Sequence, residues 1–325
     1  MKKIGLLFMA IILLLLTAAC SDKKELFSVV QNGDTGFINK KGKVVIDPQF
    51  DGAYDFSEGL SVVRVGGKYG FIDEKGNFEI NPQFDSATSF SKEGFALVSK
   101  GEESYFINKK GEKQFEDLQF DSASNFAEGY ARLNVEGDSG YVNKKGDIVI
   151  NPQFDRAYNF SEDGLARVSM GGEYGFIDTK GNIVITPQYD QAYGFTEGLA
   201  AVEVDGQWGF INKKGEFAIN PQFDGAYFFS DGLAPVLVED QVGYIDKKGN
   251  IKINPQFDAG FMFEDGHAPV QVDGKWGYIN KKGDLAINPQ FDNANYFEGG
   301  LAAVYLGGKK GYINQKGEYV WNPTD

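Results

Sequence analysis

Apolar and polar residues alternate with a period of two along most of this chain. In Leu199-Ala-Ala-Val-Glu-Val204, Ala200, Val202 and Val204 alternate with Ala201 and Glu203. The matching positions elsewhere hold Ala96 and Val98, Ala166 and Val168, and Ala268 with Val270 and Val272, while Arg64, Ser99, Asn134, Ser169 and Gln271 lie between them. One face is buried and the other wet, which predicts a β-strand and not a helix. Asp205-Gly206 and Asp273-Gly274 follow such runs, and Asp-Gly between alternating segments predicts a tight hairpin.

The second strand reads Gly-aromatic-Ile or Gly-aromatic-Val. Phe37, Phe71, Phe106, Tyr141, Phe176, Phe210, Tyr244, Tyr278 and Tyr312 fill its aromatic position. It runs into a turn in which Asn212 or Asp246 is placed to accept backbone N–H groups and Gly215 or Gly249 to take a positive φ. A third strand carries paired apolar residues, Phe217 with Ile219 and Ile251 with Ile253, and is expected to end at Asn-Pro, because proline lacks a backbone donor. The aromatic-rich stretch from Gln222 to Gly232 reads as an ordered loop with room for one helical turn.

These units recur. Counted from the residue before the aromatic, they begin at Gly36, Gly70, Tyr105, Gly140, Gly175, Gly209, Gly243, Gly277 and Gly311, so there are nine units of 34 or 35 residues. A fixed period in this range marks a repeat architecture. The fold class expected is all-β, an open or superhelical array of nine three-stranded repeats. Whole units at both ends favour the open form, since a ring closed by strand pairing between the termini would split one unit. Nine blades also exceed the usual four to eight. A β-propeller-like closed ring is the alternative.

The stretch Lys275-Trp276-Gly277-Tyr278-Ile279-Asn280-Lys281-Lys282-Gly283, followed by Asn288-Pro-Gln-Phe-Asp292, resembles the bacterial WG repeat family, also called KWG repeats. The resemblance extends over residues 26–325. The name-giving Trp is present only at Trp208 and Trp276; Thr35, Tyr69, Ser139, Tyr174, Val242 and Lys310 stand in its place elsewhere. The third unit departs furthest, with Tyr105 for Gly and Leu118 for Pro. The resemblance implies a binding or scaffolding array and carries no catalytic residue set.

Ahead of the repeats, Lys2 and Lys3 precede an apolar run from Ile4 to Leu16, then Thr17-Ala18-Ala19-Cys20. The run is shorter than the roughly 20 residues a spanning helix needs and has the form of a signal peptide. It resembles a bacterial lipoprotein signal, with Thr17 where that signal usually carries Leu. Residues 1–19 are thus expected to be removed, Cys20 to carry lipid, and residues 20–25 to tether the repeats within about 20 Å of the membrane. The expected location is the extracytoplasmic face of a bacterial cell membrane, or the outer membrane where one exists.

The formal charge of −14 excludes nucleic acid as a natural partner, and without Lys2 and Lys3 the imbalance grows. Cys20 is the only cysteine and His267 the only histidine, and His267 occupies a position held by Leu60, Leu165, Leu199, Leu233 and Leu301 in other units. No metal, cofactor or enzymatic activity is expected. Asp51, Asp85, Asp121, Asp155, Asp190, Asp224, Asp258 and Asp292 recur at one place, which argues for turn capping over catalysis, and no unit shows a carboxylate pair of its own. The expected binding surface comprises Trp208, Trp276, Tyr158, Tyr193 and Tyr227, with a row of lysines at Lys214, Lys248 and Lys282. The partner expected is a protein; the alternative is a cell-surface glycan or anionic wall polymer.

Overall fold

The seventh repeat shows how each unit folds. In the computed structural model, which describes residues 25–324, Leu233–Val238 pairs antiparallel with Gln241–Asp246. We call these the leading and middle strands. The intervening Glu239 and Asp240 both adopt left-handed φ, 49° and 65°, the two-residue turn whose twist suits a hairpin. In the sixth repeat the expected Asp205-Gly206 occupies the same turn, with φ of 51° and 78°. At the far end of the middle strand, Asp246 Oδ1 accepts the N–H groups of Lys248 and Asn250, each at 2.9 Å. Gly249 closes that turn at φ 80°, as the sequence predicts.

Two sequence expectations fail here. The third strand does not end at Asn-Pro but runs through it, from Ile251 to Phe257. Tyr244 faces Ile253 and Val242 faces Phe257, so Asn254, Pro255 and Gln256 bulge opposite Gly243. A bulge removes the need for the N–H that proline lacks. A Cβ on Gly243 would lie 2.7 Å from both Ile253 O and Pro255 N, so the glycine after the Trp position makes room for the bulge. Second, the aromatic-rich stretch contains no helical turn. Gly225–Ala226 forms a short strand on Val236 and Leu237, giving a four-stranded unit.

Nine such sheets form nine blades, spanning 26–50, 52–84, 86–114, 122–154, 156–189, 191–223, 225–257, 259–291 and 293–324. Eight have four strands and the first has three, because among the described residues no short strand precedes it. The third blade confirms what the glycine and proline do. With Tyr105 and Leu118 in their places, its bulged strand shrinks to Lys113–Gln114. Phe115 turns inward instead, 5.2 Å from Phe95 and 5.9 Å from Phe106.

Neighbouring blades are joined by a ladder of rings. The middle-strand aromatic of each blade meets a Phe in or just after the first strand of the next: Phe37 with Phe56, Phe71 with Phe90, Phe176 with Phe195, Phe210 with Phe229 and Tyr278 with Phe297, at 4.8–4.9 Å. Where the aromatic is Tyr, its hydroxyl donates across the junction, Tyr141 to Tyr158 O, Tyr244 to Phe261 O and Tyr278 to Asn295 O.

The ladder does not end at the ninth blade. Tyr312 donates to Ser28 O at 3.0 Å and packs on Phe27 of the first blade at 5.5 Å. Phe27, Val29, Ile38, Leu301, Ala303 and Tyr312 share one core, with Val320 and Trp321 against it. The protein is therefore a closed nine-bladed β-propeller: the all-β class, the nine units and the closed-ring alternative expected from sequence hold, and the open form does not. The reason is physical: every junction is made by side chains, so closure requires no strand exchange and no split blade.

Candidate functional site

The Trp position lies near the hairpin turn at the start of each middle strand and packs on the residue that follows the short strand of the same blade. Phe261 stacks on Trp276 at 5.2 Å with planes 5° apart, while Tyr193 meets Trp208 at 5.4 Å, Tyr158 meets Tyr174 at 6.4 Å and Tyr54 meets Tyr69 at 6.5 Å with tilted planes. Arg167 lies 3.5 Å over the Tyr158 ring and 5.2 Å from that of Tyr174. Burial pulls its pKa down while the tyrosines around it oppose the shift.

Blades with Thr35, Ser104, Ser139, Val242 or Lys310 at the Trp position lack this ring contact, and the seventh is one of them. Val242 takes the Trp position, so Tyr227 has no ring partner in its own blade; it approaches Tyr193 at 5.8 Å and remains 40% exposed. The missing indole leaves a cleft of about 360 Å³ across the sixth to eighth blades, walled by Tyr193, Trp208, Tyr227, Leu237, Phe261 and Trp276 over Val242. Gly225 and Gly260 keep it open. A Cβ on Gly260 would sit 2.7 Å from Tyr244 Oη and 3.1 Å from Val242 Cγ1.

Phe261 also lines a second cavity, of about 520 Å³, where the ninth blade meets the first. There the Trp position holds Lys310, whose Nζ donates to Ser28 O and approaches Ser28 Oγ, both at 3.2 Å, and sits 4.8 Å from the Tyr312 ring centre. Burial lowers its pKa. Glu264 and Glu298 replace the Ser or Thr found at Ser57, Ser91, Ser161, Thr196 and Ser230, and with Asp55 they line this cavity. Partial desolvation raises both glutamates; then Glu298 raises Glu264, and Asp55 and Glu25 raise Glu298. Sequence reading missed this pair because its members lie in different repeats. The available signal was a carboxylate in a hydroxyl position in two successive units.

The expected site residues therefore divide. Trp208, Trp276, Tyr158, Tyr193 and Tyr227 share one face of the ring. Lys214, Lys248 and Lys282 are exposed in the turns at the other ends of the middle strands, about 13 Å of strand away from the Trp position. The preceding lysines are engaged there: Lys213 pairs with Asp163, Lys247 with Glu197 at 2.9 Å and Lys281 with Asp231 at 3.5 Å. The same carboxylates accept N–H groups of the following blade, from Gly198, Gly232 and Gly266.

The recurrent aspartates cap turns as expected, Asp190 Oδ2 accepting Asp205 N–H and Asp224 Oδ2 accepting Glu239 N–H, both at 2.9 Å. His267 packs on Phe297 at 5.1 Å. Among the described residues no group of three His, Cys, Asp or Glu side chains is placed to hold a metal ion, and no helix is long and apolar enough to cross a membrane. Cys20 and the expected signal segment lie outside the described residues.

The model of the WG containing repeat family matches eight tandem segments, 36–69, 69–103, 106–137, 140–174, 174–208, 208–241, 243–276 and 276–309. The chain belongs to this family. Each WG segment begins in the middle strand of one blade and ends near the Trp position of the next, so the sequence repeat straddles two blades. No curated protein matches the chain. Among solved structures it is similar to a eukaryotic initiation factor, with a TM-score of 0.67 at 10% identity over 93% of this chain and 97% of that one, a likeness of fold. Weaker likenesses are to the dihydro-heme d1 dehydrogenase NirN, with a TM-score of 0.47 at 12% identity over 91% and 72% of the two chains, and to the extracellular domain of a one-component system from B. thetaiotaomicron. For the latter the TM-score is 0.38 at 10% identity, and 91% of this chain matches 54% of that one.

Proposed function

We propose that this WG repeat protein is a lipid-anchored, extracytoplasmic binding and scaffold protein, not an enzyme, and that it presents the aromatic face of its propeller to a protein partner. The observation that carries the reading is the cleft at Val242. Between the two blades that carry an indole, Val242 leaves an aromatic-walled cleft open, which is how concave binding sites are made. Tyr and Trp are also the residues that dominate the energetics of protein interfaces. The regular lysine turns belong to the opposite face and serve partly to tie blades together, so a wall polymer gripped by both sets of residues is the less economical arrangement.

The test is photo-crosslinking in intact cells, with p-benzoylphenylalanine replacing Tyr227 and, as a control on the other face, Lys248. The expected result is a discrete protein adduct from position 227 and none from 248. Adducts at neither position, with binding to purified cell wall that tracks the lysines, would overturn the reading in favour of a polymer ligand.

A further inference from the structure

The two cavities share the Phe261 wall and differ in chemistry, one apolar and one acidic. We infer that they form a single groove for an extended segment of the partner protein, in which a large apolar side chain fills the cleft over Val242 and a Lys or Arg side chain, a few residues along, meets Glu264, Glu298 and Asp55. This rests on the protein-partner reading above and adds what the partner must present.

Three observations fix the occupant. The apolar end is shaped by deletion: Trp208 and Trp276 flank the position where Val242 leaves the space of an indole unfilled, and Gly260 admits no side chain into it. The acidic end holds three carboxylates, two of them in positions that carry hydroxyls in most other blades. Its one cation, Lys310, is turned onto Ser28 and the Tyr312 ring. A cation arriving there gains the carboxylates and the rings of Phe261 and Tyr296, which lie 6.2 Å apart. The raised pKa values of Glu264 and Glu298 agree with a site that lacks its counter-charge.

The spacing follows from the shared wall. Trp276 is 5.2 Å from Phe261, and Tyr296 is 6.2 Å from the same ring. At about 3.3 Å per residue of extended chain, the basic and apolar residues stand two to four positions apart. A surface of net charge −14 adds long-range attraction for such a segment.

The probe is an immobilised positional-scanning hexapeptide library, applied to the full-length mature protein. The expected result is selection of an aromatic or long aliphatic residue with Lys or Arg two to four positions away. Val242→Trp, which restores the residue of both flanking blades, should weaken the best peptide at least tenfold. Tyr227→Ala, at a half-exposed position, should weaken it as well. The double variant Glu264→Gln/Glu298→Gln should weaken that peptide but not its Lys→norleucine analogue. Absence of any selected peptide, selection of acidic peptides, or binding indifferent to Val242→Trp and Tyr227→Ala would overturn the groove. A protein crosslinked at position 227 whose capture survives Val242→Trp would sink the groove while sparing the partner reading; no adduct at all would sink the partner reading itself.

Discussion

Phe27 and Tyr312, 285 residues apart in sequence, meet ring to edge at 5.5 Å and 63°. Phe27 occupies a position that holds Ser61, Ala96, Ala131, Ala166, Ala200, Ala234, Ala268 and Ala302 in the other blades. At those blades the small residue leaves room for the Phe that follows the short strand. The first blade has no such strand among the described residues, and the ring from Phe27 fills the same junction. Phe27→Ala should therefore act at the seam, with a loss of about 3–5 kcal/mol by analogy with buried Phe truncations. Denaturant titration gives the magnitude, and amide exchange should accelerate first in blades one and nine. Unchanged protection in those two blades would refute a closing role for Phe27.

The two kinds of glycine that recur from repeat to repeat should respond differently to a methyl group. Gly243→Ala places Cβ 2.7 Å from the backbone of Ile253 and Pro255, which cannot yield without losing the bulge. Gly249→Ala places it 3.3 Å from the movable Ile219 Cγ2 at φ 80°. We expect a cost of about 1–2 kcal/mol for the second, as left-handed strain, and more for the first. Urea midpoints with equal slopes would measure the difference; the reverse order would show that the bulge is soft.

Stability should depend on pH in two opposing ways. The side-chain hydrogen bond from Asn250, with further N–H donors and Lys252, holds the Asp246 carboxyl well below its ordinary 3.8. That contribution is complete above the unfolded value and is lost as pH falls toward the folded one. Glu264 and Glu298 are raised above 4.5, so their favourable contribution belongs to low pH and disappears as pH rises through the folded values. Melting temperatures from pH 2.5 to 7 should show Asp246→Ala converging on the parent protein at the acid end. Glu264→Gln/Glu298→Gln should gain on the parent above about pH 4.5. A double variant that runs parallel to the parent at all pH values would mean the two carboxyls titrate freely.

Replacing Cys20 tests the anchor. Cys20→Ala should leave the precursor unprocessed or send the protein to soluble fractions, followed by metabolic labelling with a palmitate analogue and by fractionation. Label retained on the variant would exclude lipidation at this residue.

Much of the local structure was legible in the sequence. Alternation located the leading strands, Asp205-Gly206 gave a left-handed hairpin turn, and Asp246 with Gly249 gave the capped turn, because each depends on residues a few positions apart. The features that escaped depend on what lies opposite. Pro255 reads as a strand terminator until Gly243 is seen to leave space for a bulge across from it. The short strand Gly225–Ala226 is two residues long and carries no periodicity. Ring closure rests on Phe27, whose large side chain looks like ordinary drift at an alanine position. The cleft arises from a residue that is absent: Val242 reads as a lapsed repeat, and only Trp208 and Trp276 on either side turn the lapse into a space.

Closure by side chains alone also determines how the ring responds to force. A propeller whose terminal strands pair with one another resists tension through a row of backbone hydrogen bonds loaded together. Here the first and ninth blades meet through contacts that include Phe27 on Tyr312 and Tyr312 and Lys310 at Ser28, and among the described residues no backbone ladder joins them. A load applied at the N-terminal end would part these contacts one after another, as a zip opens. The first blade would peel away while the other eight stay stacked.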